Sequence, residues 1–334
     1  MNAITQTVLN YWNNAKVKTS PNGWSCRNAV CCEHRGQTID KRGRGGLKID
    51  GDTIVYHCFN CSYSCSYQSG RSLYPKFEKF LTWLGVDENT IAQLKLANLK
   101  IVGSNAVVVK PTQQIKSIDL PNSSLLYENP SAYKKHIEYL ESRGFSYDDF
   151  PFLVSDDVGY RNRVILPFIL QDTIIGYSAR SIIPADKKRF IMKQTTDFVF
   201  GLDFVKPKYE WVILSEGLFD ALSVNGLAVM HNEINDAQTN LIHDLHTRII
   251  VVPDLDITGL SNTKTSLIET AIDNDWAVSF PEWDFKDINK AYVKYGRLFV
   301  IKHILNNATN SPTKIKVTQK LMLNRLRAGK NEWQ

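Results

Sequence analysis

Two stretches of this 334-residue chain place carboxylates where they can do chemistry. Trp211–Asp220 reads WVILSEGLFD, and Ile249–Asp256 reads IIVVPDLD. Each begins as an apolar, β-branched run too short for a helix, which predicts a buried parallel strand. Glu216 falls where the first strand stops, Gly217 permits a tight turn, and Asp220 lies on the first turn of the helix that follows. Asp254 and Asp256 end the second strand two residues apart, so both project to one side. A third short strand, Trp276–Phe280, leads into Trp283-Asp-Phe-Lys-Asp-Ile-Asn289 and brings Asp284, Lys286 and Asp287 to the same edge. In an open parallel sheet the carboxyl ends of the strands border the ligand crevice. Acids gathered there repel one another unless cations neutralise them, so the pattern points to a divalent metal. Helix capping would account for Glu216 and Asp220 alone; the second and third clusters at matching topology weigh against it.

The second set of chemically able residues is cysteine. All six lie between Cys26 and Cys65. Cys58 and Cys61 have the two-residue gap of a zinc knuckle, and Cys31 and His34 have the same gap upstream. Three thiolates and one imidazole would close one structural zinc site per chain, with Cys26 or Cys32 able to take the place of Cys31. A disulfide framework is not expected of so clustered a set in a cytosolic chain. A hairpin is expected between the pairs, and Arg42, Arg44 and Lys48 with Tyr56, Phe59 and Tyr63 make a basic, aromatic ribbon suited to single-stranded nucleic acid.

The elements that must position these groups follow in order. Residues 1–70 read as a zinc-binding ribbon domain opened by a short helix. Residues 71–120 read as a helical connector, with helical spacing at Phe77, Phe80, Leu81 and Leu84, a second helix near Asn89–Asn98 and a boundary near Pro111–Pro121. Residues 121–207 read as a basic α+β subdomain: a helix over Ser131–Arg143 closed by Gly144, then strands Arg161–Leu170, Ile174–Arg180 and Lys188–Lys193. Arg161 and Arg163 are expected to project together with Arg180 nearby, a constellation suited to phosphates. From residue 208 to 300, strands and helices alternate: a helix from Leu218 capped by Gly226, strand Leu227–His231, helix Asp236–His246, helix Thr263–Asn274 and helix Asp287–Tyr295. This order predicts a doubly wound parallel sheet. Residues 301–334 read as a basic helical tail.

The net charge is +6, and its distribution is uneven. Arg161–Lys193 holds seven Lys or Arg against Asp172 and Asp186, and Lys314–Lys330 holds six against no acid. Such patches beside an acidic site point to a polyanion partner. No apolar run is long enough to span a bilayer and the first residues lack a signal-peptide pattern, so a cytoplasmic protein is expected.

Together these residues resemble a known family. Ser215-Glu-Gly-Leu-Phe-Asp220, Pro253-Asp-Leu-Asp256 and Lys286-Asp-Ile-Asn289 look like the three motifs of the Toprim fold. Tyr160-Arg-Asn-Arg-Val-Ile-Leu-Pro-Phe168 and Ile175-Gly-Tyr-Ser-Ala-Arg180 resemble the basic motif that precedes Toprim in bacterial-type primases. With the ribbon segment Tyr56-His-Cys-Phe-Asn-Cys61, the stretch from Trp24 to Tyr295 is similar to phage-type DNA primases of the bacterial-like superfamily. The resemblance implies an α/β fold: a Toprim-type doubly wound parallel sheet, a preceding α+β basic subdomain and an N-terminal zinc ribbon.

It also implies a DNA-directed RNA polymerase of the primase class, making short RNA primers on single-stranded DNA from ribonucleoside triphosphates during phage replication in the host cytoplasm. The resemblance assigns Glu216, Asp254 and Asp256 to Mg²⁺ or Mn²⁺, with Asp220 and Asp287 in support and Glu216 open to a role as general base. Arg161, Arg163, Arg180 and Lys193 are assigned to template or nucleotide phosphates. A replicative hexameric helicase is the implied partner. The family's first zinc pair usually reads Cys-Pro-x-Cys or Cys-Pro-x-His, against Val30-Cys-Cys-Glu-His34 here, and its last motif ends in an acid where this chain has Asn289. Two other readings compete: a Toprim nuclease or topoisomerase-like strand breaker, and a non-catalytic zinc-ribbon DNA-binding protein. A topoisomerase needs a nucleophilic tyrosine on a separate domain, which the sequence does not show.

Overall fold

Among the described residues the strands form three five-stranded sheets. The computed structural model describes residues 2–51, 53–104, 117–194, 198–206, 208–230, 233–260 and 266–328, with backbone alone at 99–104. Pro111, His231, Thr263 and Lys330, which figure in the expectations above, lie outside the described residues. The chain divides into two units, Met1–Pro111 with Asn262–Trp276, and Thr112–Ser261 with Ala277–Gln334.

The first unit opens with α1 (Ala3–Asn13), capped by Asn2. An antiparallel meander follows: β1 (Lys18–Thr19), β2 (Ser25–Arg27), β3 (Gly45–Asp50), β4 (Thr53–Cys58) and β5 (Ser64–Gln68), paired in that order. β4 alternates strictly, with Ile54, Tyr56 and Cys58 buried, as a strand with one covered face should. Two helices come next, α2 (Pro75–Leu84) and α3 (Glu88–Ser104). The segment read as a connector contributes Phe77, Phe80 and Leu81 to the same core as Trp12, Tyr56, Tyr63 and the cysteines other than Cys26. Tyr56 stacks on Phe80 with centroids 4.5 Å apart.

In the second unit β6 (Ser124–Leu125) leads to α4 (Lys134–Ser142), shorter than expected because a 3-10 turn takes Pro130–Tyr133. β7 (Leu153–Val154), β8 (Arg163–Leu170), β9 (Thr173–Ser181) and β10 (Phe190–Gln194) complete an antiparallel sheet in the order β10-β9-β8-β7-β6.

The third sheet is built from β11 (Trp211–Ser215), α5 (Leu218–Val224), β12 (Leu227–Ala228), α6 (Asp236–His243), β13 (Arg248–Val251), α7 (Leu267–Asp273) and β14 (Ala277–Ser279). After α8 (Ile288–Tyr295) and α9 (Arg297–Asn306), β15 (Ala308–Thr309) joins β14 antiparallel, and α10 (Pro312–Arg327) ends the description. α7 is grouped with the first unit. The left-handed residue closing α5 is Asn225, with φ 51°, rather than the expected Gly226. Ile315, Gln319 and Leu323 of α10 are buried, so the basic tail is a packed helix with Lys314, Lys316, Lys320, Arg325 and Arg327 outside.

The strand order is β12-β11-β13-β14-β15, with β11 parallel to both β12 and β13. The chain therefore winds one way from β11 and then returns past it to β13. In sheets of this kind the point where the winding reverses, at the strand carboxyl ends, is where ligands bind.

Candidate functional sites: an acidic rim and a four-thiol cluster

Glu216 follows β11 and Asp254 follows β13, so the two flank the point of reversal. Glu216 Oε1 accepts the backbone N–H of Asp254 at 3.3 Å, which ties the loops together. Asp256 Oδ1 accepts the N–H groups of Thr258 and Gly259, each at 2.9 Å, and so fixes its own turn. Lys286 Nζ lies 3.4 Å from Oδ2 of both Asp254 and Asp256. Asp287 caps α8 by accepting the Lys290 N–H at 2.8 Å. The structure thus brings Glu216, Asp254 and Asp256 together with Asp287 close behind.

Asp220 lies deeper than its neighbours. It is 8% exposed and accepts the Asn289 N–H at 2.7 Å. A Cβ on residue 217 would sit 2.2 Å from Asp220 Oδ2, so the turn accepts only glycine while Asp220 holds this position. Asn289, where the family pattern has an acid, is buried and links Arg143 to Ser223 through its side chain.

The electrostatics follow from this crowding. Burial, then the Asp254 carboxylate, pushes Glu216 up to about 7, against the pull of the Asp254 N–H and of Lys286. Burial raises Asp254 to about 6; Lys286 opposes the rise, and Asp287 and Asp256 add to it. Burial, with Asp287 and Asp254 nearby, raises Asp220 well above the usual aspartate range. For Lys286, burial disfavours the charge, but Asp254, Asp256 and Asp287 outweigh it and its pKa rises. One lysine thus leaves the rim short of positive charge, and hard carboxylate oxygens are the donor set that Mg²⁺ or Mn²⁺ takes. Glu216, Asp254 and Asp256 are the residues that would hold it.

The cysteine site is tighter. The sulfurs of Cys31, Cys32, Cys58 and Cys61 are buried and lie within 4.8 Å of one another. Cys31 and Cys61 sulfurs are 3.4 Å apart, and those of Cys32 and Cys58 are 3.6 Å apart. A tetrahedron with zinc–sulfur bonds of about 2.3 Å has edges of about 3.8 Å, so the cluster fits zinc. The Cys61 N–H points to Cys58 Sγ at 3.4 Å, and Asn60 Nδ2 donates to Cys32 Sγ at 3.4 Å. Without an ion, hydrogen bonds to Cys58 and Cys61, then burial, push the Cys31 thiol up; a bound cation reverses such a shift.

The fourth position is Cys32, where the spacing pointed to His34. Glu33–Arg35 forms a 3-10 turn, and His34 is exposed with its ring stacked on Trp83 at 5.3 Å. Cys26 is part-exposed with its thiol toward the Trp24 carbonyl, and Cys65 is buried in β5 outside the cluster.

The ribbon's outer face also differs from expectation. Tyr56 and Tyr63 are 0% and 1% exposed and belong to the core. The available aromatic surface is Trp24, His57 and Phe59: His57–Phe59 centroids are 4.7 Å apart and Trp24–Phe59 centroids 5.7 Å. They gather over Gly46, where a Cβ would meet Phe59 at 2.9 Å and Trp24 at 3.0 Å. Arg42 and Lys48 are exposed. Arg44 instead turns inward, pairing with the buried Asp40 at 2.9 Å and donating to Asn60 at 2.7 Å.

The basic residues of the second unit separate into two kinds. Arg163 is 6% exposed and fully engaged, donating to the carbonyls of Gly159 and Ala179 and to Asp186 at 2.8 Å. Its register partner is Ser181, while Arg180 pairs with Val164, so Arg163 and Arg180 occupy opposite faces rather than one. Arg161 lies before β8, exposed, with Nε on the Asp156 carbonyl at 2.7 Å. Arg180 is part-exposed and Lys193 is exposed on β10. Beside Arg161, the loops around Val158 and Ile183 leave a cavity of about 470 Å³.

No protein-family model matches the chain, and no curated protein matches it. Among solved structures it is similar to bacterial primases. A DnaG catalytic core is 18% identical, with a TM-score of 0.46 over 55% of this chain and 75% of that one, and the Escherichia coli primase catalytic core is 18% identical, with a TM-score of 0.43 over the same shares. The RNA polymerase domain of Mycobacterium tuberculosis primase DnaG is 16% identical, with a TM-score of 0.38 over 52% of this chain and 66% of that one. The zinc-binding and RNA polymerase domains of Aquifex aeolicus primase are 16% identical, with a TM-score of 0.36 over 91% of this chain and 83% of that one. Among the described residues no helix is long and apolar enough to cross a membrane.

Proposed function

We propose that this chain is a DNA primase that joins ribonucleotides on a single-stranded DNA template. One observation carries the reading: Glu216, Asp254 and Asp256 meet at the carboxyl ends of adjacent parallel strands, at the reversal of strand order. That is where a sheet of this kind receives a ligand. In the same chain a four-thiol ribbon presents an aromatic, basic face, which suits stacking on unpaired bases.

In this reading Mg²⁺ or Mn²⁺ held by the rim would polarise the phosphate oxygens and favour the ionised 3′-hydroxyl. The chain's own residues supply position and charge. The Asp254 N–H orients Glu216, which at a pKa of about 7 is suited either to bind the ion or to take the hydroxyl proton. Arg161 and Lys193 are exposed cations suited to phosphates, with Arg180 on the opposite sheet face from Arg163. Arg163 acts at one remove by bracing the Gly159 turn beside Arg161. Trp24, His57 and Phe59 stack on template bases, with Arg42 and Lys48 on the backbone.

The test is primer synthesis by purified protein with single-stranded DNA, Mg²⁺ and ribonucleoside triphosphates. Template-dependent short RNA is the expected product. Cleavage of the DNA instead, or binding with no product, would replace this reading with a nuclease or a binding module.

A further inference from the structure

We propose that Lys286 is a resident cation of the acidic rim, which a divalent ion must displace from Asp254 and Asp256. This rests on the reading of that rim as a metal site. The lysine is anchored rather than loosely placed. Its carbonyl accepts the N–H of Leu255 at 2.7 Å, and Leu255 stands between the two aspartates. The backbone that carries Lys286 is therefore tied to the segment that carries the acids, and its side chain turns back over them.

The oxygens it meets are those left over by the rest of the site. Asp256 Oδ1 is taken by two backbone N–H groups, and Asp287 by the cap of α8. Oδ2 of Asp254 and Oδ2 of Asp256 both face the same Nζ at 3.4 Å. A charge-assisted hydrogen bond settles at roughly 2.7–2.9 Å, so the ammonium bridges the pair without seating on either member. Mg²⁺ or Mn²⁺ binds the same kind of oxygen at about 2.1 Å and holds it in a fixed geometry. Two cations sharing two oxygens repel, and the lysine is the one free to leave, since its side chain is already 40% exposed. Released, it returns to water and buries no unpaired charge. The rim is thereby held together before an ion arrives, at a cost to the ion's affinity.

The experiment titrates Mn²⁺ into full-length, zinc-loaded protein at constant pH and ionic strength, reading free Mn²⁺ by electron paramagnetic resonance. Lys286→Met is expected to tighten Mn²⁺ binding about tenfold, the scale of a charge pair at a part-exposed site. Lys286→Arg keeps the cation and stays near the wild type. In Mn²⁺-free buffer Lys286→Met should melt below the wild type, and saturating Mn²⁺ should close that gap. Mn²⁺ binding by Lys286→Met that is unchanged or weaker would overturn the proposal, because a competitor was removed without benefit. Asp254→Asn provides the separate check on the site. Wild-type Mn²⁺ binding that survives Asp254→Asn would put the ion elsewhere, and the metal reading of the rim would fall together with the role of Lys286.

Discussion

Asp220 and Asn289 are joined by a buried 2.7 Å hydrogen bond from the Asn289 N–H to the Asp220 carboxylate. The Asn289 side chain continues the connection, to Arg143 after α4 and to Ser223 in α5. An acid at 289 would add a second carboxylate to a pocket where Asp220 is already pushed well up by burial and by Asp287. The amide instead gives and accepts at once. Position 289 is therefore a joint between elements, and Asp220 is its acceptor.

Asp220→Asn keeps an acceptor and should fold with little loss. Asp220→Ala leaves the Asn289 N–H buried and unpaired, at a cost of about 1–3 kcal/mol in chemical denaturation. Equal stability of the two variants would remove Asp220 from this joint.

Asp254→Asn should lower primer synthesis by about a thousandfold, the scale of losing a charged group that stabilises a transition state. Single-stranded DNA binding should persist, since the ribbon is untouched; fluorescence anisotropy on the same preparation measures it. Normal synthesis by this variant would contradict the rim as the reacting centre.

Zinc analysis distinguishes Cys32 from His34. One zinc per chain is expected, lost in Cys32→Ser and Cys58→Ser and kept in His34→Ala, because the imidazole stacks on Trp83 away from the thiols. Loss of zinc in His34→Ala would reinstate the histidine as a ligand.

The two arginines of the Arg-Asn-Arg segment should part in their effects. Arg163→Ala removes a buried guanidinium with its bonds to the Gly159 and Ala179 carbonyls and to Asp186, and should lower stability measurably in thermal or urea unfolding. Arg161→Ala should leave stability near the wild type and raise the KM for ribonucleotides. The reverse pattern would reverse the two roles.

His136 sets a pH dependence. Its Nε2 lies 3.0 Å from the Arg161 carbonyl, which can only accept, so the ring is the donor there. Burial lowers His136 below the ordinary 6.5, against that hydrogen bond and Asp156. At this residue the folded state then binds fewer protons than the unfolded one just below pH 6.5, so stability from it is lost as pH falls through that range. His136→Gln keeps a donor and cannot titrate. Its melting temperature should fall less than the wild type's between about pH 7.5 and 5.5; parallel losses would clear His136.

Much of this was legible from residue order. The apolar runs ending at Glu216 and Asp254 are the strands expected of them, and the knuckle at Cys58 and Cys61 is read from spacing alone. The alternation of β4 also carries a signal about the faces of the ribbon. Tyr56 and Cys58 are two apart and must share a face, so Tyr56 points to the thiols and His57 to solvent. Cys32 was hidden for another reason: spacing names residues able to reach an ion, but the 3-10 turn at Glu33 decides which do. Arg163 was misplaced because a charge on a strand looks solvated until its partner, Asp186, comes back from 23 residues away. The aromatic group over Gly46 joins three strands and their turns, and only the register gathers it.

The margins of the parallel sheet are short. β12 has two residues and is bridged antiparallel by Phe200, while β15, also of two residues, runs antiparallel beside β14. Long bare margins invite a neighbouring molecule to add its own backbone, the first step of aggregation. Terminated in this way at each side, the sheet offers little template for that addition, so its strand ends can carry the acidic rim without the protein polymerising through its strands.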